Sequence, residues 1–200
     1  MSVRRHPILP KRIRRESQKL LTRISRATRS GDQQRRRGLI DLYLTSDCAR
    51  LEAAHDALFR KRKNESLTRE KVEHLADQIN VRRPCGEAAR LHLRQKPGGG
   101  VRPILSFSPH MYARQLICAK VIKASHTIPA FIFNVKGHGG RNAAIENIRN
   151  EIKNGAKFAV VADIRNCYGS FNTEGMEKIL NLPRKVVRYN LIAQNLTLRS

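Results

Sequence analysis

The sequence predicts an α+β fold, and three observations carry that expectation. Four stretches of apolar residues at helical spacing occupy the first part of the chain. An alternating segment with a glycine-rich turn follows around residues 90–104. A short Val-rich run at 158–162 then ends on a single carboxylate. The composition divides the chain into a basic, mostly helical region at 1–87, a region with a basic glycine hairpin at 88–156, and a region at 157–200 made of the Val-rich strand and the helices after it. Two hundred residues are enough for one domain with a real core and an appendage.

The charge is extreme. Forty Lys and Arg against sixteen Asp and Glu leave a formal net charge of +24. Such a surface attracts polyanions, so nucleic acid is the expected partner class. A ribosomal or chromatin-type binder would carry the same charge, so charge selects a partner and not a reaction. The four cysteines, at 48, 85, 118 and 167, form no Cys-x-x-Cys pair and no usual zinc spacing, and read as ordinary reduced thiols. No apolar segment approaches the ~20 residues that span a bilayer, so no membrane partner is expected and the cytoplasm is the expected compartment. The acid-poor, Arg-rich first 37 residues also suit an organellar transit peptide. Pro7, Pro10 and the block Arg35, Arg36 and Arg37 fit a nucleic-acid-binding arm equally well, and each Arg cluster taken alone also suits a solvated helix face.

The elements follow in order. Residues 1–10 hold two prolines and no periodicity, as a loose arm would. From Lys11 to about Arg29 the positions Ile13, Leu20, Leu21 and Ile24 fall mostly on one face of a cationic helix, which Gly31 and Asp32 interrupt. Leu39, Ile40, Leu42, Tyr43 and Leu44 mark a second helix. Asp47 can cap a third, through Leu51, Ala54, Leu58 and Phe59 into a basic end. Ser66 or Thr68 can cap a fourth, with Val72, Leu75, Ala76 and Ile79 buried. Leu91 and Leu93 alternate with Arg90, His92 and Arg94 as in a half-buried strand. Lys96-Pro-Gly-Gly-Gly-Val-Arg-Pro-Ile104 then reads as a β-hairpin turn flanked by Lys96 and Arg102. By itself it could be an ordinary basic surface hairpin.

Pro109 opens a helix whose apolar face includes Leu116, Ile117, Val121 and Ile122, with Gln115 beside them. Beyond Phe131–Val135, the glycines at 137, 139 and 140 allow tight turning. Arg141 or Asn142 begins a helix through Ile145 and Ile148. The amides of this turn, at Gly140 and Arg141, suit either a phosphate or plain packing, and His138 reads as a turn residue. Phe158–Ala162 reads as a strand buried on both faces, with Asp163 at its end. A carboxylate there must be hydrogen-bonded, paired or bound to a cation. A turn through Arg165 and Asn166 would bring Tyr168 back beside it. Asn172 or Thr173 can cap a short helix through Met176, Ile179 and Leu180, and Pro183 starts one through Val186 and Val187.

Taken in order, the Lys96-to-Ile104 hairpin, the Gln115 helix, Gly139-Gly140-Arg141 and the apolar run into Asp163 with an aromatic at Tyr168 resemble the reverse transcriptases of bacteria, retrons and group II introns, which are RNA-directed DNA polymerases. The resemblance covers residues 88–200. It implies the fingers and first part of the palm of a right-hand polymerase fold, preceded by the basic helical region. By position, Lys96 and Arg102 would contact the phosphates of the incoming dNTP. Asp163 would be the catalytic acid binding Mg2+, with the Ile164 carbonyl assisting. Tyr168 would exclude a ribose 2′-hydroxyl, unless it is a core tyrosine that never meets substrate. The partners implied are an RNA template with a DNA primer, or an RNA–DNA hybrid. Asn142 stands where the family has Ser. The Gln-Gly and Tyr-x-Asp-Asp motifs do not occur in these residues, so the chain is expected to be inactive alone, a partner chain supplying the rest of the palm. The competing expectation is a non-catalytic RNA- or DNA-binding protein derived from such a polymerase or acting as its subunit.

Overall fold

The computed structural model describes residues 9–61, 66–135, 137–164, 173–192 and 198–199. In chain order these form α1 (Lys11–Arg29), α2 (Gln33–Thr45), α3 (Asp47–Lys61), α4 (Arg69–Gln78), β1 (Ala89–Gln95), β2 (Val101–Ser106), α5 (Pro109–Ser125), α6 (Gly140–Lys153), α7 (Met176–Ile179), α8 (Arg184–Asn190) and β3 (Leu198–Arg199). The protein is α+β, as expected. It divides into two units, Met1–His126 with Thr173–Ser200, and Thr127–Asn172. These units cut across the three segments drawn from composition.

Side-chain caps start three helices of the first unit. The Asp32 side chain accepts from the Arg35 amide at 2.9 Å to start α2, and Thr68 accepts from the Lys71 amide at 3.3 Å to start α4. Ser108 does the same for α5, accepting from the Met111 amide at 3.1 Å, with Pro109 in the first turn. Asp47 is the first residue of α3 and not its cap: the Ser46 carbonyl accepts from the Arg50 amide at 3.1 Å.

The core of this unit is helical. Ile24 and Ala27 of α1, Leu39, Ile40 and Tyr43 of α2, Val72 and Ala76 of α4, Ile117, Cys118 and Val121 of α5, and Val186 and Val187 of α8 are buried together. On α3 the fully buried face is Ala49, Ala53, Ala54 and Ala57, while Leu51, Leu58 and Phe59 only flank the core. The small side chains let the α3 backbone lie close to its neighbours, so the larger apolar residues are displaced to the margins. Burial pushes the Cys118 thiol up to about 12, so it behaves as a small hydrophobe.

A polar network crosses the same interior. Glu52 and Asp56, one turn apart on α3, meet Arg14 of α1 at 3.7 and 3.1 Å and Lys120 of α5 at 2.9 and 3.8 Å. Buried Ser17 joins Tyr43 to Glu52. Burial opposes the Asp56 charge, yet the His55 hydrogen bond and the Lys120 and Arg14 charges outweigh it and hold the carboxyl below its ordinary range. The Arg114 side chain is also buried; its Nε donates to Asn190 Oδ1 at 2.7 Å and its guanidinium to the Arg83 carbonyl. Asn190 in turn donates to the Val81 and Val186 carbonyls at 2.7 and 2.6 Å, which ties α5, α8 and the segment before β1 together.

The sheet has the order β2-β1-β3. β1 and β2 are antiparallel, with Leu93 opposite Pro103 and Arg94 opposite Arg102; β3 runs parallel to β1.

In the second unit, α6 starts after Gly139 at φ 80, where an added Cβ would lie 2.4 Å from that of Ala143. This helix buries none of its residues. The strand expected at Phe158–Ala162 is not formed. Residues 157–164 belong to no helix or strand, and Phe158, Val160 and Val161 are 93%, 93% and 95% exposed. A strand buried on both faces needs hydrogen-bonding neighbours and a covering layer on each side, and the described residues of this unit contain no other strand to supply them. In the first unit again, the short α7 is entered from Gly175, at φ 79, and not from Thr173; Asn172 lies outside the described residues.

Candidate functional site

The hairpin is built by its turn. The Lys96 amide donates to the Gly100 carbonyl at 3.0 Å and the Gly99 amide to the Lys96 carbonyl at 3.1 Å, while Gly99 and Gly100 take φ of 85 and 82 that side chains disfavour. Side chains alternate across the pleat, so Arg90, His92, Arg94 and Arg102 share one face, and Leu91, Leu93, Pro103 and Leu105 share the other. Lys96, Arg94 and Arg102 are exposed, and none has an acidic partner among the described residues. Arg94 and Arg102 are cross-strand partners, a placement in which like charges repel. The hairpin therefore carries positive charge that the fold does not neutralise, and an anion would relieve it.

The Arg35–Arg37 block does not act as one patch. Successive helical residues point about 100° apart. Arg35 and Arg37 are exposed, while Arg36 turns inward and donates to Asn181 Oδ1 at 3.1 Å. Its Nε is buried without a hydrogen-bond partner among the described residues. Arg36 and Arg37 line a cavity of about 510 Å³ together with Lys178, Asn181, Asp41 and Glu177. No sequence signal links α2 to residues 177–181, so this pairing emerges only from packing.

The remaining predicted residues belong to the second unit. Gly140 and Arg141 form the first turn of α6, Gly140 half-buried and Arg141 exposed. Asp163 is exposed and accepts from the Ile164 amide at 2.9 Å. Among the described residues Asp163 joins no cluster of three metal-ligating side chains. One carboxylate and one carbonyl do not by themselves make a magnesium site, which needs near-octahedral oxygen coordination. Tyr168, with Arg165 and Asn166, lies outside the described residues.

Compared with protein-family models, curated proteins and solved structures, the chain matches none. The geometry of its own residues has to carry the functional reading. No described helix is long and apolar enough to cross a membrane. The described residues do contain one group of three metal-ligating side chains, Cys85, Glu87 and His110. Sequence spacing missed it because 25 residues separate the cysteine from the histidine.

Proposed function

We propose that the chain carries the fingers and first palm elements of a reverse transcriptase, binding an RNA template with a DNA primer and dNTPs. The observation that carries this reading is the glycine-turn hairpin with Lys96 and Arg102 at its mouth, exposed and unneutralised, with Arg94 opposite Arg102 on the paired strand. A triphosphate or nucleic-acid backbone is the anion that such a cluster suits. The ordered resemblance through Asp163 then assigns the reaction class, transfer of a deoxynucleotide to a primer 3′-hydroxyl. In that reading Asp163 is the first acid of the site, Tyr168 the sugar gate, and Gly140 and Arg141 a phosphate contact.

A second reading is favoured by the exposed Asp163, which bonds its own neighbour's amide and stands outside any metal-ligating cluster of the described residues. It is that of an RNA- or DNA-binding protein without chemistry. Primer extension on an RNA template with magnesium and dNTPs separates the two, using the chain alone, Asp163→Asn, and the chain extended through its downstream reading frame. Extension by the longer chain that Asp163→Asn abolishes supports the polymerase. Salt-sensitive RNA binding with no extension in any form supports the binder. Lys96→Ala with Arg102→Ala should weaken nucleic-acid or dNTP binding under either reading; unchanged binding would remove the hairpin from the interface.

A further inference from the structure

We propose that Cys85, Glu87 and His110 form a zinc site that ties the entry to β1 to the first turn of α5. This inference is independent of the polymerase reading. The three ligand atoms lie within 4.8 Å of one another. The Cys85 sulfur is 3.7 Å from His110 Nδ1, and His110 Nδ1 is 3.4 Å from a Glu87 oxygen. Tetrahedral zinc with bonds of ~2.0–2.3 Å to sulfur, nitrogen and oxygen holds its ligands about 3.3–3.6 Å apart, so the sulfur–nitrogen and nitrogen–oxygen separations lie within about 0.2 Å of two edges of the polyhedron.

The groups around the cluster are arranged as a metal site requires. His110 Nε2 lies 3.2 Å from the Gln78 carbonyl, which can only accept, so this nitrogen carries the proton. With Nε2 on that carbonyl, Nδ1 is the ring nitrogen that faces Cys85 and Glu87, and in the neutral ring it offers the lone pair that a ligating histidine needs. The Ser108 hydroxyl, which also caps α5, donates to the other Glu87 oxygen and orients the carboxylate. The buried side chain of Arg114 reaches the Cys85 sulfur, so the cysteine faces the cluster from a packed wall and not from open solvent.

The donor set selects the ion. Thiolate with imidazole suits zinc and disfavours magnesium or calcium, which take oxygen ligands. One thiolate and one carboxylate balance the charge of a divalent cation. The fourth position opens on a cavity of about 500 Å³ that includes Asp77, Asn80 and Arg83, so water completes the coordination. The metal would clamp the base of the hairpin that carries Lys96 and Arg102.

The full chain, stripped with chelator and dialysed, is titrated with zinc alone and separately with cobalt. The expected result is one zinc per chain, and a cobalt spectrum with a thiolate-to-metal charge-transfer band and tetrahedral intensity. Cys85→Ser and His110→Ala should each weaken zinc affinity by about a hundredfold or more, Glu87→Gln by about tenfold or more, and Cys48→Ser should change nothing. Zinc should also protect Cys85, and not Cys48, from alkylation read by peptide mass spectrometry. That readout needs no variant, so a misfolded mutant does not decide the matter. Zinc binding that is absent, that shows no thiolate band with cobalt, or that leaves Cys85 open to alkylation would overturn the proposal.

Discussion

The two units use similar apolar residues to opposite effect. In the first, Tyr43, Ile24, Ile117 and Val186 are fully buried, and even the polar groups Ser17, Arg114 and Asn190 find partners inside. In the second, α6 buries nothing, with Ile148 and Ile152 58% and 61% exposed, and Phe158, Val160 and Val161 are almost wholly in solvent. Hydrophobicity alone therefore does not make a core; an apolar face gains free energy only where another face covers it. The first unit has four or more helices to share that burial. Within the described residues the second has one helix and no sheet.

The contrast can be broken most forcefully by deleting one aromatic ring from each unit. Tyr43→Ala should destabilise the protein by about 3–5 kcal/mol, through the lost ring and its contact with Ser17. Phe158→Ala, the same kind of truncation at a 93% exposed position, should change stability by no more than about 0.5 kcal/mol. Urea unfolding midpoints at constant m check both. Comparable losses would mean that Phe158 is covered in solution, by another segment or another chain.

A smaller effect tests whether α6 is held by its start. Gly139→Ala combines a left-handed φ with a Cβ 2.4 Å from Ala143, and should cost about 1–2 kcal/mol of local stability. The amides of the first α6 turns should then lose hydrogen-exchange protection. At Gly155 an added Cβ meets nothing, so Gly155→Ala carries only the backbone strain and should leave the start of α6 protected. Equal loss in both variants would show that the Gly139 contact does not govern the helix.

The smallest effect belongs to the polar interior of the first unit. Asp56 has a folded pKa below its unfolded value, so its contribution is present above the unfolded carboxylate range near pH 4 and is lost as pH falls through the folded value. Acid unfolding of the wild type should therefore steepen below about pH 4, and Asp56→Asn should be less stable at neutral pH with a shallower acid dependence. Parallel pH profiles for the two proteins would place the sensitivity elsewhere.

Short-range chemistry was legible without any structure. The basic helices, a cap at Ser66 or Thr68, of which the structure uses Thr68, Pro109 in the first turn of α5 and the glycine turn between β1 and β2 each depend on neighbours within a few residues, so local sequence was enough to find them. The α+β class followed from the same signals. What tertiary structure alone decided depends on residues far apart in the chain. Packing chose alanines and not Leu51, Leu58 or Phe59 for the buried face of α3, because the distance between backbones is a property of two helices and not of one. It turned Arg36 away from Arg35 and Arg37 toward Asn181, 145 residues on. It left Phe158–Ala162 uncovered, because periodicity reports that a run could be buried and not whether a neighbour is there to bury it. It also brought Cys85 and Glu87 to His110, since ligand separation is set by where α5 begins against the segment before β1, and no spacing rule within one segment encodes that.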